Sequence, residues 1–322
     1  MKPYFFQTSS PDSFDAASEL RAGIAATNSQ IAPWYLYDPI GSRLFDLITM
    51  IPDYYPTNTE AAIIATHLPA MSKVTADHGT LPNCSLIDLG AGSCEKAPKL
   101  FPLVKPNQYV PVDISVDYLK EIVESMQREH AQIEMIGVGT DFSRHLVLPE
   151  KVQKERRLFF YPGSSIGNFT PSKAGLFLEG VRQQMQDDAA LWIGIDLVKD
   201  KQIMERAYDD ELGITAAFNR NILRNVNRIA GTDFAPAKWS HVSVFNEQES
   251  RIEMHLEAKS AITVSWPNGA RSFAAGERIL TEVSHKYTPD SFQNLLAKAG
   301  LRSIGMWTDD KQWFAVFAAV RA

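Results

Sequence analysis

The chain has little cysteine: Cys84 and Cys94 are the two cysteines among its 322 residues. Two thiols cannot build a disulfide framework, and sparse cysteine is typical of proteins from a reducing compartment. The plain explanation of both residues is packing or loop structure. We therefore expect a cytoplasmic protein without a disulfide scaffold.

A basic surface and a long apolar run are also lacking. The net charge is −6, from 32 Lys and Arg against 38 Asp and Glu. Nucleic-acid and membrane-surface partners favour a basic stripe that neutralises phosphates. No apolar run approaches the roughly 18 residues needed to span a bilayer, and the N-terminal MKPYFFQTSSPDSFD is a poor signal peptide. We expect a monomer with a small-molecule partner, and neither a nucleic-acid nor a membrane partner.

Several catalytic motifs are absent. The seven histidines form no HExxH or similar ligand spacing, and there is no CxxC, so we expect no metal site. GxxxxGK[ST] and GxSxG are missing as well, which leaves P-loop and nucleophile-elbow chemistry without support.

What is present is an alternation of strands and helices that starts at Ser85. The apolar runs are CSLIDLG, YVPVDIS, IEMIGVGTDFS, LFFYPGSSIGNF and ALWIGIDLV, and helical stretches such as VDYLKEIVESMQREH separate them. Strands that alternate with helices predict an α/β fold with a parallel, doubly wound, Rossmann-like sheet.

The flanks of this region have other patterns. Upstream, Ser13–Ala26 reads as an amphipathic helix, and Asn58 or Thr59 is placed to cap another helix. After Asp200, a long helical region leads into strands of period two, and the chain ends in a helix and two strands. Such an ending usually completes an α/β sheet.

This order of segments predicts an insertion architecture. One domain, built on the sheet, comprises residues 59–198 plus 285–322. The other, an α+β domain, comprises residues 10–58 plus 199–284.

The segment LIDLGAGSCEK carries a nucleoside-binding pattern. Gly90 and Gly92 follow a strand directly, where glycine lets the backbone turn tightly and approach a ligand. Asp113 ends the next strand, where a carboxylate accepts ribose hydroxyls. Asp141 and Phe142 end the third, where they suit a base amino group and the face of a ring. The plain explanation of a lone GxG is an ordinary tight turn, but two acidic strand ends accompany this one.

Two cofactors compete for this pattern. A dinucleotide fold prefers a third glycine, but Glu95 stands at that position. A carboxylate there would repel a pyrophosphate, whereas S-adenosylmethionine carries an amino acid and a sulfonium. The residues favour S-adenosylmethionine, with a nicotinamide-dependent oxidoreductase as the alternative.

At this point the chain resembles a known family, the histidine Nα-methyltransferases of ergothioneine biosynthesis, which trimethylate L-histidine to hercynine with S-adenosylmethionine. The resemblance runs in family order from about residue 35 to the C-terminus, through segments that include YDPIGSRLFDLITMIPDYYPTNTE, PGSSIGNFTP, GITAAFNRNIL and FAAGERILTEVSHKYTP. It implies a class I methyltransferase domain joined to a substrate-binding domain built from both flanks.

The resemblance also implies roles for individual residues. The cofactor residues would be Gly90, Gly92, Lys96, Asp113, Asp141, Phe142, Gly163 and Ser164. The histidine-binding residues would be Tyr54, Asn168, Tyr208, Met254, Glu282 and Ser284. Close to the transferred methyl and the α-amine would be Tyr37, Asn168 and Gly163.

Glu282 and Ser284 permit a physical check of these roles. They are two apart in a period-two segment, so both side chains project from one face of a strand. A carboxylate and a hydroxyl can pair with both imidazole nitrogens. An indole offers one donor and no acceptor, which disfavours tryptophan as the substrate. The plain alternative is an exposed strand face with polar residues outward, and a non-catalytic S-adenosylmethionine-binding regulator also remains open.

Overall fold

The computed structural model describes residues 2–7, 15–114, 116–142 and 146–322. The chain divides into two compact units. The first, called here the sheet unit, comprises Met1–Ser10, Thr59–Leu197 and Tyr287–Ala322. The second unit comprises Pro11–Asn58 and Val198–Lys286. The assignment of cofactor and substrate to these units stays a prediction.

The strands and helices have the following bounds. The strands are β1 (Tyr4–Gln7), β2 (Ser85–Leu89), β3 (Gln108–Asp113), β4 (Glu134–Gly139), β5 (Arg157–Tyr161), β6 (Ala190–Asp196), β7 (Trp239–Asn246), β8 (Arg251–Ala258), β9 (Ile262–Trp266), β10 (Gly269–Phe273), β11 (Arg278–His285), β12 (Leu301–Thr308) and β13 (Phe314–Arg321). The helices are α1 (Ala16–Ala25), α2 (Pro39–Ile48), α3 (Tyr55–Asp77), α4 (Phe101–Val104), α5 (Val116–Glu129), α6 (Pro171–Gln183), α7 (Lys201–Arg206), α8 (Ile214–Ala230) and α9 (Pro289–Lys298).

The sheet unit is built on eight strands in the order β1-β4-β3-β2-β5-β6-β13-β12. The first six are parallel, and β13 is antiparallel to both of its neighbours. Every residue of β2, β5 and β6 is buried, which is why these strands read as continuous apolar runs. The predicted α/β sheet is confirmed, and the C-terminal helix and two strands complete it.

The strand order fixes where a ligand would bind. From β2 the chain steps outward to β3 and β4, and then returns to the other side of β2 with β5 and β6. Where the connections from two neighbouring parallel strands lead to opposite sides of the sheet, a crevice opens at the carboxyl ends of those strands. The residues that follow β2, β3, β4 and β5 therefore share one edge of the sheet.

Two features of the N-terminal half differ from the sequence analysis. Strand β1 pairs in parallel with β4 and was not predicted. The expected cap at Asn58 or Thr59 is wrong, because α3 already begins at Tyr55. Pro56 lies in the first turn of α3, where a missing N–H costs nothing. Of the predicted helix Ser13–Ala26, the structure has Ala16–Ala25, and Ser13 lies outside the described residues.

The second unit contains a three-stranded antiparallel sheet in the order β11-β8-β7 and a β9–β10 hairpin. Helix α8 packs against this sheet, and the Asp210 carboxylate caps the helix by accepting from the N–H of Ile214 at 3.1 Å and of Thr215 at 2.7 Å. Between Leu280 and Glu282 the register of β11 against β8 shifts. Within the described ranges, no helix is long and apolar enough to cross a membrane.

Candidate functional site

The glycine turn after β2 is tied to the end of β3. Gly90 and Gly92 have φ angles of +70° and +50°, in the left-handed region that favours glycine. The Gly92 N–H donates to Oδ2 of Asp113 at 3.0 Å, and the Gly90 N–H donates to the Val112 carbonyl at 2.9 Å. A Cβ at Gly92 would meet nothing within 4 Å, so this face of the turn is open. The structure therefore brings together the glycines and the carboxylate that the sequence analysis paired.

Phe142 reaches the same turn from the end of β4. A Cβ at Gly90 would lie 3.5 Å from Cζ of Phe142, an ordinary van der Waals distance, so the Phe142 ring lies beside this glycine. The Phe142 ring packs at 6.0 Å from the rings of Tyr161 and Phe177. Its neighbour Asp141 is partly buried. The predicted Asp141–Phe142 pair thus borders the glycine turn.

A buried carboxylate that the sequence analysis missed joins two of the predicted loops. Glu60 is 1% exposed, and its Oε2 accepts from Nζ of Lys96 at 2.8 Å. Its Oε1 accepts from the N–H of Gly163 at 2.7 Å. A Cβ at Gly194 would lie 2.1 Å from Oε1 of Glu60, so a glycine on β6 makes room for this carboxylate. Glu60 belongs to the TNTE segment that carries the family resemblance, which was the available signal.

Ser164 and Asn168 lie in the loop after β5. The Ser164 hydroxyl accepts from the N–H of Asp196 at 2.8 Å, so this side chain ties the loop to the end of β6. Asn168 ends a 3-10 turn, Ser165–Asn168, and is partly buried. It belongs to the sheet unit, whereas the other predicted histidine-binding residues belong to the second unit.

A second buried carboxylate, Asp88, lies on β2 just before the turn. It is 2% exposed and accepts from the Tyr109 hydroxyl at 2.7 Å. Burial raises the pKa of Asp88 to about 7, against the opposing effects of the Tyr109 hydrogen bond and the Lys96 charge.

These surroundings fit S-adenosylmethionine better than a dinucleotide. Asp113 and Asp141 supply acceptors for hydroxyl and amino groups, and Lys96 is already paired with Glu60. A pyrophosphate needs N–H donors and positive charge, whereas Glu95 beside the turn is exposed and adds negative charge. The residues present suit a cofactor without phosphates.

The second unit assembles residues that are far apart in the sequence. The Tyr37 ring packs at 5.5 Å from those of Phe45 and Phe218, Phe45 at 6.1 Å from Tyr54, and Tyr54 at 6.1 Å from Tyr208. Ser284 is hydrogen-bonded to Tyr208, and Glu282 and Met254 lie beside it on the paired strands β11 and β8. We call the whole set the aromatic–acidic cluster: Tyr37, Phe45, Tyr54, Tyr208, Met254, Glu282 and Ser284.

Glu282 and Ser284 are buried, at 8% and 4% exposure, so an exposed polar strand face is excluded. Glu282 pairs across the sheet with Met254. The Ser284 hydroxyl lies 2.9 Å from that of Tyr208. Among the described residues, no side chain or backbone group donates a hydrogen bond to the Glu282 carboxylate. Burial raises the pKa of Glu282 to about 7, and the charge of Lys286 opposes this shift.

The Tyr37 phenol shares its electrostatic surroundings with Glu282. The residue is 38% exposed, but burial of its phenol raises its pKa well above the ordinary value, and Glu282, Tyr54 and Tyr208 add to this shift. The phenol therefore stays protonated at neutral pH.

Metal ligands are a separate question. In the part of the chain that the structure describes, no three His, Cys, Asp or Glu side chains are grouped to hold a metal ion.

A doubly wound sheet with a glycine turn and acidic strand ends defines a protein that binds a nucleoside cofactor. Residues 16–321 match the model of the histidine-specific, S-adenosylmethionine-dependent methyltransferases. The chain belongs to this family and is an S-adenosylmethionine-dependent methyltransferase.

Similar proteins include two mycobacterial enzymes and one fungal protein. A histidine N-alpha-methyltransferase of Mycolicibacterium smegmatis is 39% identical over 309 residues, which cover 94% of each chain. Another, of Mycobacterium tuberculosis, is 37% identical over 310 residues, again 94% of each chain. Ergothioneine biosynthesis protein 1 of Neurospora crassa is 30% identical over 288 residues, which cover 87% of this chain and 32% of the fungal protein.

Proposed function

We propose that the chain transfers three methyl groups from S-adenosylmethionine to the α-amino nitrogen of L-histidine, giving hercynine, the first step of ergothioneine biosynthesis. The observation that carries this proposal is the buried Glu282–Ser284 pair on β11. A buried carboxylate without a protein donor is costly, and a bound ring N–H would offset that cost.

The sheet unit supplies the cofactor residues in this proposal. Asp113 would accept the ribose hydroxyls while it holds Gly92, and Asp141 with Phe142 would contact the base. Lys96, held by Glu60, and the backbone at Gly163 and Ser164 would border the amino-acid end. The bound cofactor contributes a methyl group on a positively charged sulfur.

The second unit supplies the histidine residues. Glu282 accepts one imidazole N–H, Ser284 contacts the other nitrogen, and Met254 packs against the ring. Tyr54 donates its phenol hydrogen to the carboxylate, while the Tyr208 hydroxyl donates to Ser284 and its ring borders the same group. The family resemblance assigns Asn168 to the α-amine.

The α-amine must lose a proton before each transfer. Tyr37 is a poor proton acceptor, because its raised pKa keeps the phenol protonated, so the proton leaves to water. The rings of Tyr37 and Phe45 supply aromatic faces that stabilise the quaternary ammonium as it forms. Methyl transfer is an in-line displacement, so positioning provides much of the rate.

The test is incubation of the protein with S-adenosylmethionine and each of the common amino acids, read by mass spectrometry. Methylation of histidine in preference to all others supports the proposal. Preferred methylation of tryptophan would point to a different aromatic substrate, and no methylation of any amino acid would contradict the proposal.

We also propose that the protein acts as a cytoplasmic monomer with no nucleic-acid or membrane partner. The two cysteines are free and buried, which suits a reducing compartment, and the net charge of −6 disfavours phosphate-rich partners. Light scattering after size exclusion tests the oligomeric state: a mass near 35.9 kDa supports it, and twice that mass contradicts it.

A further inference from the structure

Lys286 is a buried lysine that none of the steps above uses. It is 3% exposed, and its Nζ lies 2.8 Å from the Ser284 hydroxyl and 3.1 Å from the Tyr208 hydroxyl. Nζ also lies 4.7 Å from the centre of the Tyr208 ring. An ammonium has three N–H groups and no lone pair, so Lys286 is the donor in both hydrogen bonds.

The Tyr208 and Ser284 hydroxyls are also bonded to each other, at 2.9 Å. Tyr208 accepts from Lys286 and donates its own hydrogen to Ser284. The Ser284 oxygen therefore accepts two hydrogen bonds, from Tyr208 and from Lys286. A serine hydroxyl has two lone pairs and one hydrogen, so only its hydrogen is left for a further partner.

We propose that Lys286 is a positioning residue that sets specificity, because it occupies Ser284 as an acceptor and leaves this hydroxyl able only to donate. The inference rests on the proposed function. Above pH 7, where Glu282 is ionised, this side chain only accepts, so the two side chains together require a ring with one N–H and one nitrogen that carries a free lone pair. Neutral imidazole is such a ring. A pyrrole lacks the nitrogen with the free lone pair and leaves the Ser284 hydrogen without a partner.

The experiment compares dissociation constants for histidine and for 3-(pyrrol-2-yl)alanine and 3-(pyrrol-3-yl)alanine, each of which replaces one ring nitrogen with C–H. Calorimetry is done at pH 8, where Glu282 is ionised, on the whole protein with the demethylated cofactor present. Wild type should prefer histidine by roughly 100-fold or more over the better analogue, since a site built to hydrogen-bond a polar group rejects rings that lack it.

In Lys286→Met this preference should fall by roughly tenfold or more, because the Ser284 hydrogen can turn to the Tyr208 oxygen. Tyr208→Phe removes the other bond to Ser284 and should reduce the preference by a smaller factor. Lys238→Met, at an exposed lysine of the same unit, should leave it unchanged. A purely structural role for Lys286 predicts equal losses for histidine and the analogues, hence an unchanged ratio.

An unchanged ratio in folded Lys286→Met overturns the inference, and if that variant does not fold, an unchanged ratio in Tyr208→Phe overturns it instead. Failure of the proposed function looks different. If wild type does not methylate histidine, the proposed function is wrong. If it does, and the ratio of the dissociation constants for the analogues and for histidine stays constant among the variants, only the proposed role of Lys286 is wrong.

Discussion

The molecule has two groups of polar side chains that are assembled in different ways. One lies at the ends of β2, β3 and β4, and the other is the aromatic–acidic cluster. In the sheet unit each residue follows a strand directly, and the parallel order of the strands brings those ends to one edge. In the second unit the residues come from α2, from loops and from two strands, between Tyr37 and Ser284. Local sequence therefore locates the first group, while the second depends on tertiary packing. If the two groups bind different molecules, a change in one group should leave the binding of the other group's ligand unaffected.

The largest expected effect is on histidine recognition. Glu282→Ala should raise the Michaelis constant for histidine by a factor that corresponds to about 1–3 kcal/mol or more of binding free energy, because a ring N–H loses a charged acceptor. The Michaelis constant for S-adenosylmethionine should stay within about twofold. Steady-state kinetics checks this, with Glu249→Ala, at an exposed residue of the same unit, as the matched control. Wild-type constants in Glu282→Ala would remove β11 from substrate recognition.

The reciprocal change is in the sheet unit. Asp113→Ala should weaken S-adenosylmethionine binding by about 1.5–3 kcal/mol, the scale of hydrogen bonds to a charged group. It also frees the Gly92 N–H. Calorimetry measures the affinity, and Asp187→Ala, at an exposed carboxylate, serves as the control. Unchanged affinity, or tight binding of NAD by the wild type, would contradict the cofactor assignment.

The raised pKa of Glu282 predicts a pH-dependent stability. The unfolded carboxyl ionises near its ordinary pKa of 4.5, whereas the folded one keeps its proton to about pH 7. Stability therefore falls as pH rises between these values, by at most about 3 kcal/mol. Glu282→Gln removes this loss, so its unfolding free energy relative to wild type should rise between pH 5 and pH 8. Chemical denaturation at both pH values checks this, and an equal difference at both would show that the pKa is not raised.

A smaller effect is expected at Glu60. Glu60→Gln keeps an acceptor for the Gly163 N–H but loses the charge that holds Lys96, so S-adenosylmethionine affinity should fall roughly tenfold. In the double variant with Lys96→Met the two losses should be less than additive, since the residues act as a pair. Glu155→Gln, at an exposed residue of the sheet unit, is the control. Fully additive losses would show that Glu60 does not act through Lys96.

Much of the sheet was predictable, because buried parallel strands such as β2 and β5 leave continuous apolar runs. Strand β1 has four residues, YFFQ, and too short a pattern to predict. The start of α3 was wrong because Asn58 or Thr59 was expected to cap this helix, whereas the helix begins at Tyr55 and tolerates Pro56 in its first turn.

The candidate site residues also divide into those that local sequence predicts and those that it does not. Glycines and acidic residues at strand ends carry their own signal, so Gly90, Gly92 and Asp113 could be chosen from local sequence. Tyr37, Tyr54 and Tyr208 could be chosen only through the family resemblance, since a lone tyrosine is usually a packing residue. Glu60 and Lys286 were missed because their partners, Gly163 and Tyr208, are distant in sequence and meet them only in the fold.

The central claim is that one nitrogen of histidine receives three methyl groups, and the masses of the products over time test it most directly. With S-adenosylmethionine in excess, the trimethyl species should accumulate, and NMR should place all three methyl groups on the α-nitrogen. A reaction that stops at monomethylhistidine, or that methylates the imidazole ring, would contradict the account.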